Sequence, residues 1–264
     1  MKSVQPRGWL RFLLVLWMAC GLSFTARAAD EDALLTVWKQ HMETPEDHEA
    51  AIKVCRDFAT THAGDPLLPI VRGLEAWHLL RTGHRVEALQ MMAAGLDAPP
   101  GPLTDGVRRL AQAWMTRADR DQAAGALQSY YRKHVAYPKT LEQLPAEGRP
   151  PLSDRFSEPW DYKLTGFSKV PGFSDQKYSL QSARLGDLSD FKGALALPYA
   201  ARIVAMPQQV IAAPGNTQAV KFNIAGKPVV LGVGLASGDL HLAFAGSKIV
   251  VVCDYAHWKI FPRP

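Results

Sequence analysis

The amino-acid sequence predicts an α+β protein, with helices in its first half and an antiparallel sheet at its end. Between Glu31 and about His134, apolar residues recur three or four positions apart, the period of helices that bury one face. From Arg202 onward, short runs of alternating apolar residues replace that period, and glycine-containing turns separate them. No helical pattern lies between these runs, so the sheet is predicted to be mainly antiparallel.

The first 28 residues have the order of features that marks a cleavable export signal. A basic start is followed by an apolar core, Phe12 to Phe24, and by a small-x-small site at Ala26-Arg27-Ala28. The core is shorter than the roughly 20 residues that a membrane-crossing helix needs. We therefore expect an exported chain, periplasmic or extracellular, with no integral membrane span after cleavage. The alternatives are a retained anchor or a lipoprotein attached through Cys20.

Removal of this signal leaves a chain with almost no net charge. Residues 1–28 carry four of the 30 basic residues and none of the 25 acidic ones, which leaves 26 basic against 25 acidic. The four basic residues are Lys2, Arg7, Arg11 and Arg27. Because the remaining charge is balanced and no basic run is interleaved with aromatic residues, we expect no nucleic-acid partner.

Residues 29–97 are predicted to form helical hairpins. Helical periods cover Asp47–His62 and Pro69–Arg81, and the turn at Thr82–His84 leads into a further helix. A helix, a tight turn at Gly83 and a second helix with Ala88 resemble a tetratricopeptide-type hairpin.

Helical repeats of that type present peptide grooves, and the resemblance makes three side chains candidates to line one. They are Trp77, Met91 and Met92. The alternative is that these residues belong to the hydrophobic core, where such side chains are most often found.

Residues 103–192 are predicted to hold one or two long helices and then a turn-rich segment. Leu103 to His134 keeps the helical period, and Pro138 cannot continue a helix. Thr140 is placed to cap a short helix whose Leu141 and Leu144 fold back on the long one. Pro159 then starts an extended segment whose flanking aromatic rings cover that helix.

The order of motifs between Ala124 and Ser182 resembles the head region of type II secretion major pseudopilins and related type IV pilin-like proteins. The motifs run in this order: Leu127, Tyr130 and Tyr131; Tyr137-Pro138-Lys139-Thr140-Leu141-Glu142-Gln143-Leu144; Asp154 to Pro159, Trp160 and Tyr162; and Tyr178-Ser179-Leu180. The resemblance implies a long helix that ends in a turn-rich head, and partners among secretion or pilus proteins.

Two departures from that family limit what the resemblance implies. Pseudopilins begin with a prepilin peptidase site and a long apolar assembly helix, whereas this chain begins with an ordinary signal, so we expect no incorporation into a fibre. The family's calcium loop is not clearly reproduced either. Its nearest counterpart, Asp187 and Asp190 after Gly186, offers too few oxygen ligands for calcium, and no cofactor is expected.

Residues 193–264 are predicted to form the antiparallel β region. The alternating runs are Val220-Phe222-Ile224, Val229-Leu231-Val233, Leu240-Leu242-Phe244 and Ile249-Val251-Cys253. Cys253 and Cys55 are the two cysteines left after signal cleavage, and an oxidising envelope allows them to pair. The alternative is two buried free thiols.

Motif searches give no catalytic or metal-binding constellation. The serines lack the nucleophile-elbow pattern, and H-E-x-x-H and C-x-x-C are absent from the sequence. His41 and His48 are interpreted as surface residues seven positions apart on one helix, and His78 as a solvated residue near a turn.

We therefore expect a non-enzymatic exported envelope protein that binds other envelope proteins, as an accessory of a type II secretion or type IV pilus-like assembly. One alternative is a free-standing helical-repeat scaffold with a pilin-like head and no secretion role. Another is an envelope enzyme whose site the sequence does not reveal. The fold analogy alone does not decide among them.

Overall fold

The computed structural model describes residues 29–146, 149–166, 176–214 and 217–264, which form an α+β fold. Helices come first and antiparallel sheets come last, as the two periodicities predict. The expected signal, residues 1–28 with Cys20, lies outside the described residues.

Five helices make up the first half of the chain. They are α1 (Glu31–Glu43), α2 (His48–Thr61), α3 (Leu68–Arg81), α4 (Arg85–Ala94) and α5 (Pro102–His134). Successive helices pack against one another, and the α3–α4 turn closes with His84 N–H donating to the Leu79 carbonyl at 2.8 Å. Gly83 holds φ +85° in this turn, a conformation that favours glycine. The helical hairpin predicted around Gly83 is confirmed.

Helix α5 is one continuous helix of 33 residues rather than two. Pro102 lies in its first turn, where the missing N–H costs no hydrogen bond, and Val135 ends it in the left-handed conformation. The first half of α5 packs against α3, α4 and the carboxyl-terminal strands. The second half of α5 and the segment that packs on it, residues 119–182, are here called the head. Residues 29–117 and 186–264 are called the body.

The head folds back on α5 in the way that its turn residues predict. After a 3-10 turn at Leu141–Gln143 come the antiparallel strands β1 (Trp160–Thr165) and β2 (Lys177–Ser182). Leu141 and Leu144 pack against Leu127 of α5, together with Trp160 and Leu180. The fold-back predicted for the two leucines is confirmed.

The carboxyl-terminal region holds two antiparallel sheets. After a short helix α6 (Phe191–Ala196), the outer sheet has the order β3 (Ala205–Ala213), β4 (Thr217–Ile224) and β5 (Lys227–Gly232). The central sheet has the order β6 (Ala236–Ser237), β7 (Leu240–Ala245), β8 (Ile249–Cys253) and β9 (Trp258–Pro262). Strands β4, β5, β7 and β8 match the predicted runs, whereas β3, β6 and β9 were not predicted.

The central sheet is buried on both faces, which makes the body three layers thick. Ile249, Val251 and Cys253 of β8 join the core formed with the helices, while Val250 and Val252 join the core shared with the outer sheet. All five residues of β8 are therefore buried, and the strand is continuously apolar. The central sheet thus covers one face of the helical array.

The start of α1 is tied to the turn between β7 and β8. The Glu31 carboxylate accepts hydrogen bonds from the backbone N–H groups of Ser247, Lys248 and Ile249 and from the Ser247 hydroxyl, at 2.7 to 2.9 Å. A Cβ on Gly246 would overlap this carboxylate, so glycine lets the two come together. These contacts join the two ends of the described chain.

Across the described ranges, no helix combines the length and the apolar character that a membrane crossing requires.

Candidate functional site

The body contains an apolar cavity of about 310 Å³ between α3, α4 and α5. Its walls are formed mainly by aliphatic and thioether side chains, including Leu68, Met91, Met92, Val107 and Leu110. Tyr199, which follows α6, and Trp258 of β9 also line the cavity. The cavity therefore lies where the helical array meets the central sheet.

Among the described residues that line the cavity, one is charged, and it lies at the mouth. Arg72 lines the cavity, its side chain is 42% exposed, and its guanidinium donates through Nη1 to Glu75 Oε2 at 2.7 Å. Exposed Ala94 and half-buried Thr104 also line it, and the Thr104 hydroxyl donates to the Gly101 carbonyl at 3.1 Å. The interior is apolar, and positive charge is available only at the edge.

Gly73 allows the indole ring of Trp258 to close one wall. A Cβ at position 73 would lie 2.4 Å from Trp258 Nε1, so any larger residue on this turn of α3 would displace the ring. Nε1 is buried and has no hydrogen-bond partner among the described residues.

A chain of three imidazoles lies beside the cavity. His41 Nδ1 is 2.9 Å from His78 Nε2, and His48 Nδ1 is 3.0 Å from His78 Nδ1. His41 and His78 are 2% and 0% exposed. Because both nitrogens of His78 face different neighbours, the three rings form a hydrogen-bonded row and do not converge on one point. Among the described residues, no group of three or more His, Cys, Asp or Glu could hold a metal ion.

These imidazoles are held neutral by their surroundings. Burial is the largest cause in each case, and it lowers the pKa of His41 to about 4 and that of His78 to about 3. His257, in the turn between β8 and β9, is also buried, with its pKa lowered to about 3. Burial, followed by the charge of Arg81, lowers the pKa of His48 as well.

Tyr199 connects the histidines to the cavity. Its ring centroid lies 4.3 Å from that of His41, 4.4 Å from that of His257 and 4.9 Å from that of Trp77, and its ring also lines the cavity. Its hydroxyl accepts a hydrogen bond from the Trp258 backbone N–H at 3.1 Å, and burial raises its pKa. A molecule that filled the cavity would therefore contact a ring that packs on two neutral histidines.

The groove residues predicted from the helical-repeat resemblance are divided by the structure. Met91 and Met92 line the cavity, but Trp77 is 5% exposed and packs among His41, His48 and Tyr199. Trp77 is therefore a core residue, because helix α6, through Phe191 and Ala194, and the ring of Tyr199 cover it.

The predicted disulfide is not formed. Cys55 and Cys253 are both free, buried and part of the same core cluster, which agrees with the alternative of two buried thiols. Burial raises the pKa of the Cys55 thiol to about 12 and also raises that of Cys253, so neither thiol is activated.

Side chains of the head motif make structural contacts. The Asp154 carboxylate accepts from the backbone N–H groups of Phe156 and Glu158 and from the Ser182 hydroxyl. The Tyr162 hydroxyl donates to the Pro138 carbonyl, and Trp160 Nε1 donates to the Pro151 carbonyl, both at 2.8 Å.

Other motif residues are equally involved in packing. The rings of Tyr137 and Tyr178 meet edge to face with centroids 4.8 Å apart, and Pro159 forms a bridge with Ser153 that precedes β1. Asp190 caps α6 and pairs with Arg120, whereas Asp187 accepts from Gln181.

The histidine row was missed by sequence reasoning, and its interpretation as surface residues is wrong. His41 lies in the last turn of α1 and His48 begins α2, so the two do not share a helix. His78 lies on the buried face of α3 rather than in solvent. The available signal was the surrounding sequence, since His78 directly follows the apolar run that buries Leu74 and Trp77.

The fold and the site define an α+β protein with an apolar, ligand-sized cavity next to buried neutral histidines. No known protein family, curated protein or solved structure matches the chain at a significant level.

Proposed function

We propose that the chain is a non-enzymatic exported envelope protein that binds other proteins, as an accessory of a type II secretion or type IV pilus-like assembly. The observation that carries this proposal is the edge of the outer sheet formed by β3. In the described part of the chain, β3 pairs with β4 on one side only. Its other side offers backbone N–H and C=O groups to an added strand.

The two edges of the outer sheet differ in how they discourage pairing. Sheet edges are commonly protected by charge, proline or short length. Strand β5 has six residues and begins with Lys227-Pro228. Strand β3 has nine residues without a charged side chain; its proline, Pro207, and the bulge after it lie in its first half, where Gln208 and Gln209 are exposed. The uncharged edge that follows the bulge, residues 209–213, therefore suits an extended segment of a partner, which gains main-chain hydrogen bonds by adding a strand.

The secretion or pilus role rests on the resemblance of residues 124–182 to pilin-like heads. In this chain the corresponding side chains hold the head on α5. Contact with partners is therefore assigned to the outer sheet, which lies outside the pilin-like segment. An ordinary export signal in place of an assembly helix fits an accessory protein better than a fibre subunit.

Site-specific photo-crosslinking in the source organism tests this proposal. A photoreactive residue at Gln208 on β3 should capture a component of the assembly. The same residue at Lys221, exposed on the central strand β4 of the same sheet, is the matched control and should capture far less.

An edge-blocking variant gives a second measurement. Ala212→Lys adds charge at an exposed position of β3 and should abolish capture, whereas Val230→Lys, also exposed, on the β5 edge should not. Equal capture at both crosslinking positions would contradict strand addition at β3. Capture at Gln208 of an envelope protein from outside any secretion or pilus system would instead favour the free-standing scaffold.

A further inference from the structure

We infer that the cavity between α3, α4 and α5 binds a small amphipathic anion with a single apolar chain, of the class of medium-chain carboxylates. This inference rests on the cavity and does not depend on the proposed function, because β3 contributes no residue to the cavity.

The interior is built for an apolar chain. Its volume of about 310 Å³ lies at the lower end of the range of small-molecule sites, about 300–1,000 Å³, which favours a slender ligand. Met91 and Met92 supply flexible thioether side chains that adapt to an alkyl chain. Trp114 and Leu110 of α5 provide rigid apolar surface on another wall.

The charge of the residue at the mouth indicates the charge of the ligand's polar end. Arg72 is the single charged residue among the described lining residues, and no carboxylate lines the cavity. A guanidinium has five N–H donors in a planar fork that matches a carboxylate. Arg72 uses Nη1 to donate to Glu75 Oε2 at 2.7 Å, and its partly exposed position lets it also meet a head group at the mouth. The polar end is therefore an anion rather than a cation.

A second arginine provides a matched control for Arg72. Arg56 Nε donates to the other oxygen of Glu75, Oε1, at 2.9 Å, so each arginine holds the same buried carboxylate. Arg56 does not line the cavity. Replacing either one leaves Glu75 with one arginine, but only Arg72→Gln removes positive charge from the mouth.

Calorimetric titration of the purified protein with three ten-carbon amphiphiles tests the ligand class without any mutation. Decanoate should bind saturably with one molecule per chain, at concentrations below those at which it forms micelles. Decanol should bind about tenfold more weakly because it lacks the charged hydrogen bonds. Decyltrimethylammonium should not saturate. Equal binding of the cation and the anion would overturn the assignment of an anionic ligand.

Two pairs of variants locate the binding site. Arg72→Gln should weaken decanoate binding about tenfold and leave decanol unchanged, while Arg56→Gln should leave both unchanged. Ala98→Trp places an indole in the lining and should abolish binding of both, whereas Gln90→Trp, exposed on α4 outside the lining, should not.

The variants also define the results that would overturn the inference. Retention of decanoate binding in Ala98→Trp would remove the cavity as the site. Equal loss in Arg72→Gln and Arg56→Gln would assign the effect to Glu75 and fold stability rather than to the mouth. Circular dichroism of each variant establishes that the fold is retained before titration.

Discussion

The body and the head differ in how completely their buried polar atoms are paired. Among the described residues, seven buried side-chain nitrogen or oxygen atoms have no hydrogen-bond partner, and all seven belong to the body. They lie on His41, Trp77, Arg109, Arg117, Gln218, His257 and Trp258. In the head, the buried side chains of Asp119, Asp154 and Ser182 all have partners.

This difference separates scaffold from site. A fully paired polar network fixes one conformation, so the head suits a rigid support for α5. Unpaired buried groups cost stability, and proteins keep them mainly where function requires them. Four of the seven unpaired atoms lie on the histidines and indoles around Tyr199 and the cavity. The head is thus a polar network with its buried groups paired, whereas most of the unpaired groups of the body gather around Tyr199 and the cavity.

Acidification should destabilise the body, and this is the largest change in the free energy of unfolding that we expect. Unfolded histidine has a pKa of 6.5, whereas the pKa of buried His41 is lowered to about 4 and those of His78 and His257 to about 3. Below pH 6.5 the unfolded chain takes up protons that the folded chain refuses. The stabilisation is therefore complete above pH 6.5 and is lost as the pH falls towards 3. Urea unfolding at pH 7 and pH 5 should differ by about 2 kcal/mol for each of these histidines.

Two variants isolate the histidine contribution to this acid effect. His78→Gln should reduce the difference in unfolding free energy between pH 7 and pH 5 by about 2 kcal/mol. Trp77→Phe, which changes a neighbouring ring without removing a titrating group, should retain the full difference. An unchanged difference in His78→Gln would show that the buried imidazoles do not control acid stability.

The same contrast explains how far the sequence predicts the structure. The head was predictable because its signals are local: Pro138 ends the long helix, and Leu141 and Leu144 lie at the spacing that returns them to it. The histidine row was not, because it unites side chains of α1, α2 and α3 that are up to 37 positions apart in sequence. Strand β9 was missed for a different reason, because its alternating residues Trp258 and Ile260 cover only five positions, too few for a clear strand pattern.

The central sheet illustrates a further limit of periodicity. The continuous apolar run of β8 predicts a strand but not that its two faces serve two different cores. Trp77 likewise lies in the core, the alternative to a groove, because α6 and Tyr199 pack against it, whereas the helical hairpin itself was predicted correctly. The cavity that contains Met91 and Met92 depends on Tyr199 and Trp258, which no local pattern brings to the helices.

Removal of the Asp154 carboxylate should give the largest mutational effect in the head. Three donors would lose their acceptor in a site that is 4% exposed. Asp154→Ala should therefore lower the free energy of unfolding by about 3 kcal/mol in urea denaturation. Asp187→Ala, an exposed carboxylate just after the same hairpin, is the control and should change it by less than about 0.5 kcal/mol. Similar values for the two variants would contradict a head held by its polar network.

The contact between α1 and the β7–β8 turn provides a smaller test within the body. Burial alone raises the pKa of Glu31, but the hydrogen bonds from Lys248, Ser247 and Ile249 outweigh it and lower the pKa. This contribution is therefore present above pH 4.5 and is lost as the pH falls below that value. Glu31→Gln should cost about 1.5 kcal/mol at pH 7, because an amide offers one acceptor oxygen instead of two. Asp32→Asn, on the exposed side of α1, should have a free energy of unfolding close to that of the wild type. An equal loss of stability in both variants would show that the hydrogen bonds accepted by Glu31 make no specific contribution.

The smallest effect compares one indole from each region. Trp77 and Trp160 are 5% and 7% exposed, so replacing either by Phe removes a similar volume. Trp160 Nε1 donates to the Pro151 carbonyl, whereas Trp77 Nε1 has no partner among the described residues. Trp160→Phe leaves a carbonyl without its donor, while Trp77→Phe removes a group that was buried unpaired, so Trp160→Phe should cost about 1 kcal/mol more in urea unfolding. If Trp77→Phe costs as much, its N–H is paired in solution, and the contrast between body and head fails at the indole closest to the histidine row.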